Sequence, residues 1–279
     1  MNQAGVTYYN RGTKCLLSLL VSIHSLRTHY AGEITILSEG DESHGICSKI
    51  ADSVGASIME VDSGFDAGKN HCFLAKTVIN QWTPYGITIF LDSDTLVQQP
   101  IDQLLELAGT NEFCVARFSN WTVGRGPYSK RIREWETVAA QDVEATWRFG
   151  VAINTGVLAF DRDAKIFQEW SGLAWKGRAN ALPDEISCQI LLHRHKHLIL
   201  PQVWNCSCKY SDPHAPDVRI IHYHGRKHCR PGLPYGGDLW TEHFSVVWRA
   251  NIADVRSWGR ASDRWVLKWL KGAESGIDS

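Results

Sequence analysis

Residues 88–97 read TIFLDSDTLV, which sets two carboxylates, Asp92 and Asp94, one residue apart at the end of an apolar run. The run ITIFL (87–91) has no polar face, so it reads as a strand covered on both sides, the pattern of a parallel sheet sandwiched between helices. The flanking sequence agrees. Upstream, VTYY (6–9) precedes Leu16, Leu19, Leu20, Ile23 and Leu26, which recur at helical spacing. EITIL (33–37) leads to a helix through Ile46, Ile50 and Val54, closed by Gly55 where a helix stop is expected, and then to SIMEV (57–61). Downstream, a short Leu-rich helix precedes FCVA (113–116). VAINTGVLAF (151–160) is followed by a helix over about 163–175, and another opens at Asp184 after Pro183. Strands alternating with helices predict an α/β fold with a mostly parallel mixed sheet flanked by helices. Ligands of such sheets sit beyond the carboxyl ends of the strands, where Asp92 and Asp94 fall. Residues 117–150 lack clean periodicity, carry Trp121, Trp135 and Trp147, and read as an insertion at the mouth of that site.

The chain has 279 residues, 44% of them hydrophobic and 21% charged, and a formal net charge of −1. These values predict a folded, soluble protein and exclude the basic field of a nucleic-acid binder. The longest apolar stretch, CLLSLLVSI, falls short of the roughly 18 residues of a membrane span. The eight cysteines are scattered, and with no export signal they are expected to stay reduced in a cytoplasmic protein. Asn120-Trp121-Thr122 and Asn205-Cys206-Ser207 match the N-glycosylation pattern and are read as chance.

Taken alone, an Asp at a strand's end caps a helix or faces solvent. Here, however, alternation across Ser93 would turn both carboxylates to one side, where two anions repel unless a cation separates them. Oxygen ligands of this kind suit Mg²⁺ or Mn²⁺ bridging to phosphate.

LDSDTLV resembles the D-x-D segment of metal-dependent nucleotide-sugar glycosyltransferases of the GT-A (Rossmann-like) fold, specifically those of glycosyltransferase family 8. VTYYN, Lys76, AINTGVLAF, PDEISCQILL and IIHYHGRKH follow the family's order, so the resemblance runs from about residue 6 to residue 231. It implies one glycosyltransferase domain over 1–279, with a nucleotide-binding half (1–116), a donor and acceptor half (151–231) and a C-terminal helical extension (232–279). Asp92, Asp94 and His222 would hold Mn²⁺ or Mg²⁺, the imidazole favouring Mn²⁺. Tyr8, Tyr9 and Asn10 would border the nucleobase, Asp92 would also approach the ribose, and Lys76 would touch the sugar nucleotide. Asn154 would hydrogen-bond the donor sugar and Gly156 would leave room for it, while Asp184 would contact the sugar. Glu185 stands where the family often has Gln beneath the anomeric carbon, which opens nucleophilic or inverting chemistry beside the retaining outcome expected of the family.

Gly225 would admit a phosphate, and Lys227 with His228 would neutralise the departing nucleotide. HYHGRKH departs from the usual H-x-x-G-x-x-K by placing Lys227 one residue early, and Arg226 and Arg230 are further cations there. The implied activity is transfer of a hexose, with UDP the expected donor nucleotide, to a glycan, protein or small-molecule acceptor.

Two other readings compete. A metal-dependent nucleotidyltransferase would use similar groups. A structural zinc site drawn from Cys206, Cys208, His222, His224, His228 and Cys229 would make this part a binding module, although C-x-C and H-x-H are not zinc spacings. The Trp-rich stretch ending in DRWVLKWLKG reads as a short amphipathic helix that docks on the protein's own core, lines the acceptor site or touches a membrane surface.

Overall fold

The computed structural model describes residues 3–65, 68–124, 126–224, 239–240 and 242–243. The calls on Gly225, Arg226, Lys227, His228, Cys229 and Arg230, and on the Trp-rich segment after residue 243, fall outside them.

The first half alternates as expected: β1 (Ala4–Arg11), α1 (Leu16–Arg27), β2 (Glu33–Glu39), α2 (Asp41–Val54), β3 (Ser57–Glu60), α3 (His71–Lys76) and β4 (Ile87–Leu91). Gly55 ends α2 in the left-handed conformation, φ 62°, that glycine adopts without a Cβ penalty. After β4 come β5 (Thr95–Val97), α4 (Gln103–Asn111), β6 (Phe113–Arg117), α5 (Gly126–Arg133), α6 (Glu136–Trp147) and β7 (Ile153–Asp161). The described chain then runs through α7 (Phe167–Lys176), α8 (Pro183–Leu191), β8 (Leu198–Leu200), β9 (Cys206–Ser207) and β10 (Ile220–His222).

Seven strands form one sheet in the order β3-β2-β1-β4-β7-β6-β8. Every pair is parallel except those of β7, which runs antiparallel to both β4 and β6. The inner strands β1, β2, β4, β6 and β7 bury both faces, which is why their runs read as continuously apolar, while the edge strand β3 is largely exposed. One face packs Val6, Tyr8, Ile36, Ile89 and Leu91 against α1, α2 and α4. The other packs Leu37, Phe90, Phe113, Leu158 and Phe160 against Phe167 and Trp170 of α7 and Cys188 and Leu191 of α8.

Residues 117–150, which showed no period, contain α5 and α6. A non-helical residue, Ala139 (φ −153°, ψ 56°), interrupts α6, so no single stripe runs its length. A third cluster, with Tyr128, Ile132, Trp135 and Val143 against Ile186 and Ile190, fastens this segment to α8.

A small second sheet, β5-β10-β9, begins immediately after the two aspartates. His222 on β10 pairs antiparallel with Thr95, and the Tyr223 amide donates to the Asp94 carbonyl at 2.8 Å. Backbone pairing thus carries a histidine 128 residues away in sequence to the Asp pair.

Candidate functional site

Asp92 and Asp94 do face the same way, but not by strand alternation. The Asp92–Asp94 segment is a turn between β4 and β5, closed by the Thr95 amide and hydroxyl on the Asp92 carbonyl at 3.2 and 2.8 Å. His222 Nε2 lies 3.1 Å from Asp94 Oδ1 and 3.8 Å from Asp92 Oδ2. Among the described residues these three are the one group of His, Cys, Asp or Glu side chains that converges closely enough to share a metal ion, with ligand atoms within 4.8 Å of one another. Cys206 and Cys208 do not join them, which removes the zinc alternative as far as the described residues carry it; the Cys206 thiol instead meets the Asp212 carbonyl.

The histidine's orientation is fixed by a chain of hydrogen bonds that starts at the backbone. The Gly156 amide donates to Asn154 Oδ1 (3.0 Å), which settles which end of that side chain is oxygen. Asn205 Nδ2 donates to the same oxygen (2.8 Å), so Asn205 Oδ1 must accept from His222 Nδ1 (2.9 Å). With its proton on Nδ1, a neutral His222 turns the Nε2 lone pair toward two carboxylates. That arrangement is unfavourable unless a proton or a cation lies between them, and two carboxylates with an imidazole are a fitting donor set for Mn²⁺.

Burial works against ionisation of Asp94, yet the His222 imidazole outweighs it and holds that carboxyl down at about 2. For Asp92 burial prevails and raises the value despite Lys76 and His222. His222 is raised, because Asp94 and Asp92 overcome the burial that would lower it.

Lys76, the last residue of α3, is buried between carboxylates, its Nζ 2.9 Å from Asp92 and 3.2 Å from Asp184. Those anions outweigh burial and raise its pKa. Asp184, in the first turn of α8, accepts from Thr155 Oγ1 at 2.7 Å and keeps a buried Oδ1 without a hydrogen-bond partner. Glu185, next to it, takes the Asn154 side-chain amide at 2.6 Å and has Arg131 at 4.0 Å. Burial, reinforced by Asp184, pushes Glu185 up to about 7 against the pull of Arg131 and Asn154.

Lys76, Asp92, Asp94, Asn154, Asp184, Glu185 and His222 all line one cavity of about 560 Å³. Among the described residues that line it, four acidic side chains face two permanent cations, Lys76 and Arg131, a surplus of acidic groups that suits a divalent ion.

Gly156 is placed differently from the expectation. A Cβ there would lie 2.1 Å from His222 Cε1, so the room it leaves is taken by the imidazole and not by a sugar. Tyr8, Tyr9 and Asn10 stand outside the cavity lining. The Tyr8 ring is wholly buried on the α1 side, its hydroxyl on Ser22 at 3.0 Å, so the side chain is a core element and not a base contact. Tyr9, on the opposite face, bonds Glu39. Asn10 is 2% exposed and holds a buried, unpartnered Oδ1 at the carboxyl end of β1.

Thr155, Arg131 and Asn205 were not singled out by sequence. Asn205 carried only the signature of a glycosylation site, yet it is buried and committed to His222 and Asn154. Arg131 lay in the segment without period.

No helix among the described residues is long and apolar enough to cross a membrane, and no disulfide joins the described cysteines. No family model and no curated protein sequence matches the chain. Solved structures do match its fold. The glycosyltransferase GlyE of Streptococcus pneumoniae aligns with a TM-score of 0.62 at 17% identity, over 91% of this chain and 64% of its own. The bifunctional glycosyltransferase WbbM gives 0.61 at 14%, over 89% of this chain and 51% of its own, so the chain spans about half of that protein. The galactosyltransferase LgtC, solved with donor and acceptor sugar analogs, gives 0.58 at 15%, over 88% of this chain and 99% of its own. The mostly parallel mixed sheet of seven strands flanked by helices is therefore the fold of GT-A glycosyltransferases.

Proposed function

We propose that the protein is a metal-dependent glycosyltransferase, similar to family 8, that moves a hexose from a UDP-sugar to an acceptor with retention of configuration. The observation that carries this reading is the convergence of Asp92, Asp94 and His222 at the carboxyl edge of a GT-A sheet, with the histidine tautomer fixed so that Nε2 faces both carboxylates. The resemblance in motif order and the likeness in fold support it.

A bound Mn²⁺ would neutralise the diphosphate and help it leave. The chain's own residues do the remaining work. Asp92, Asp94 and His222 are held in register by their neighbours, and Lys76 pairs with Asp92 and Asp184 and keeps both in place. The unpartnered Asp184 Oδ1 accepts a sugar hydroxyl, and Asn154 orients Glu185 beneath the reacting carbon. Most of the barrier lowering on this reading is positional and electrostatic. The basic residues Lys227 and His228 after Gly225 would meet the charge on the departing nucleotide. We place the enzyme in the cytoplasm.

The test is a binding and hydrolysis screen of UDP-, GDP- and CMP-sugars with and without Mn²⁺. Metal-dependent binding of a UDP-sugar is expected, and Asp94→Asn should abolish it. Nucleotidyl transfer without sugar transfer, or full activity in Asp94→Asn, would sink the reading.

A further inference from the structure

We propose that the acceptor is itself a carbohydrate, and that one of its pyranose rings stacks on Trp121 and Tyr210. The inference rests on the glycosyltransferase reading and extends it to the second substrate.

The cavity has two unlike ends. One is the charged group just described. The other is a wall of aromatic rings built around Phe118, which is only 7% exposed and stands as a post. Trp121, Tyr210 and His224 meet it edge to face, at centroid distances of 5.1, 5.6 and 5.4 Å. Trp121 and Tyr210 lie 5.0 Å apart and inclined at 51°. Tyr210 is 38% exposed, and the structure therefore keeps a large ring in contact with water at the mouth of the site. The wall is close to the metal ligands, since the His224 ring is 5.2 Å from that of His222.

The chemistry of such a wall selects its ligand. An aromatic face is electron-rich, and the axial C–H bonds of a pyranose carry the matching partial positive charge, so a sugar ring lies flat on Trp or Tyr while its hydroxyls reach outward. A hydroxyl partner is present in Arg131, which lines the cavity, while Lys209 lies over one face of the Tyr210 ring, its Nζ 4.8 Å from the ring centre, and leaves the Trp121 side for the sugar. A lipid chain would be met by aliphatic side chains, and the apolar surface here is chiefly aromatic. The one cavity of about 560 Å³ is lined by both groups, so a sugar on the aromatic wall would lie beside a donor hexose at Glu185.

Two measurements test this, one of which needs no donor. In the first, saturation-transfer NMR is run on the whole protein with methyl hexopyranosides, lactose and maltose, beside a Ser/Tyr peptide and an alkyl phosphate. The expected result is transfer to ring C–H protons of at least one sugar, lost in Trp121→Ala and Tyr210→Ala and retained in Trp121→Phe and Tyr210→Phe, which keep a ring face. In the second, transfer from the UDP-sugar chosen by the donor screen should show an acceptor KM raised about tenfold in each alanine variant and much less in each phenylalanine variant. Saturation of the peptide or the alkyl phosphate and of no sugar, or sugar signals equal in the alanine variants, would overturn the proposal. If a sugar binds at Trp121 and Tyr210 but no nucleotide sugar is turned over, the glycosyltransferase reading fails and the sugar site stands.

Discussion

Replacing Gly156 with alanine should disable the metal site from behind. The new Cβ would lie 2.1 Å from His222 Cε1 and 2.5 Å from Nδ1, so the ring would have to retreat by about 1 Å or more to reach ordinary contact. Metal–ligand distances tolerate only about ±0.2 Å, so Nε2 cannot both escape the methyl group and keep its place beside Asp94. Retreat also strains the Nδ1 bond to Asn205 that sets the tautomer. Displacing an orienting partner typically costs about 10- to 100-fold in metal affinity, or ~1.4–2.7 kcal/mol. Alanine suits the backbone of β7, where Gly156 lies, but overpacking against the buried ring should cost about 1–3 kcal/mol, a loss that leaves the protein folded. Free Mn²⁺ counted by electron paramagnetic resonance during titration gives the affinity without any donor sugar. Gly156→Ala should fall to the level of His222→Ala, with an unfolding transition that is lowered but still cooperative. An unchanged Mn²⁺ affinity in Gly156→Ala would refute the argument, since it would mean that His222 is not the group that requires the glycine.

Three further outcomes follow from buried groups. Glu185 is raised to about 7 from an ordinary value of 4.5, so its favourable contribution to stability is full below about pH 4.5 and is lost as pH climbs through 7. Glu185→Gln keeps the contact with Asn154 and cannot ionise, so its stability relative to the unaltered protein should improve by about 1–3 kcal/mol between pH 5 and 8. Urea unfolding at both pH values measures this, and an equal difference at the two would discard the buried-carboxylate account. Lys76→Met removes the ammonium that pairs with Asp92 and Asp184 and should cost about 3–5 kcal/mol at pH 7, less at pH 4 where Asp92, raised by burial, takes up a proton. A loss that does not change with pH would show that packing, and not charge, is what Lys76 supplies. Gly5→Ala would set a Cβ 2.5–2.7 Å from the Tyr85 ring, whose hydroxyl bonds Thr35 at 2.7 Å in a buried site, and should lower stability by about 1–3 kcal/mol in thermal unfolding. A midpoint equal to that of the unaltered protein would show that the ring gives way freely.

Legibility in the sequence follows how local each determinant is. VTYY, EITIL and ITIFL announced β1, β2 and β4 because strands buried on both faces are apolar throughout. The same property hid the direction of β7, since a buried antiparallel strand has the composition of a parallel one. Tyr8 shows the alternation rule at finer grain: its neighbours Thr7 and Tyr9 turn to the α3 and α8 side of the sheet, and it turns to α1.

The site was legible where family order marked it, at Asp92, Asp94, His222, Lys76, Asn154, Asp184 and Glu185, all of which border one cavity. What sequence did not give is the wiring between them. Asn205 looks like a glycosylation site and Gly156 like space for a ligand until β10 is laid beside β5, when both become parts of one imidazole's setting. That chain reaches further than the metal. Asn154 accepts from Gly156 and Asn205 on its oxygen and donates to Glu185 from its nitrogen, so the group that positions Glu185 is the group that, through Asn205, orients His222. A change at Asn154 should therefore move the metal end and the carboxylate end of the cavity together, because one amide, anchored on a backbone N–H, sets the geometry of both.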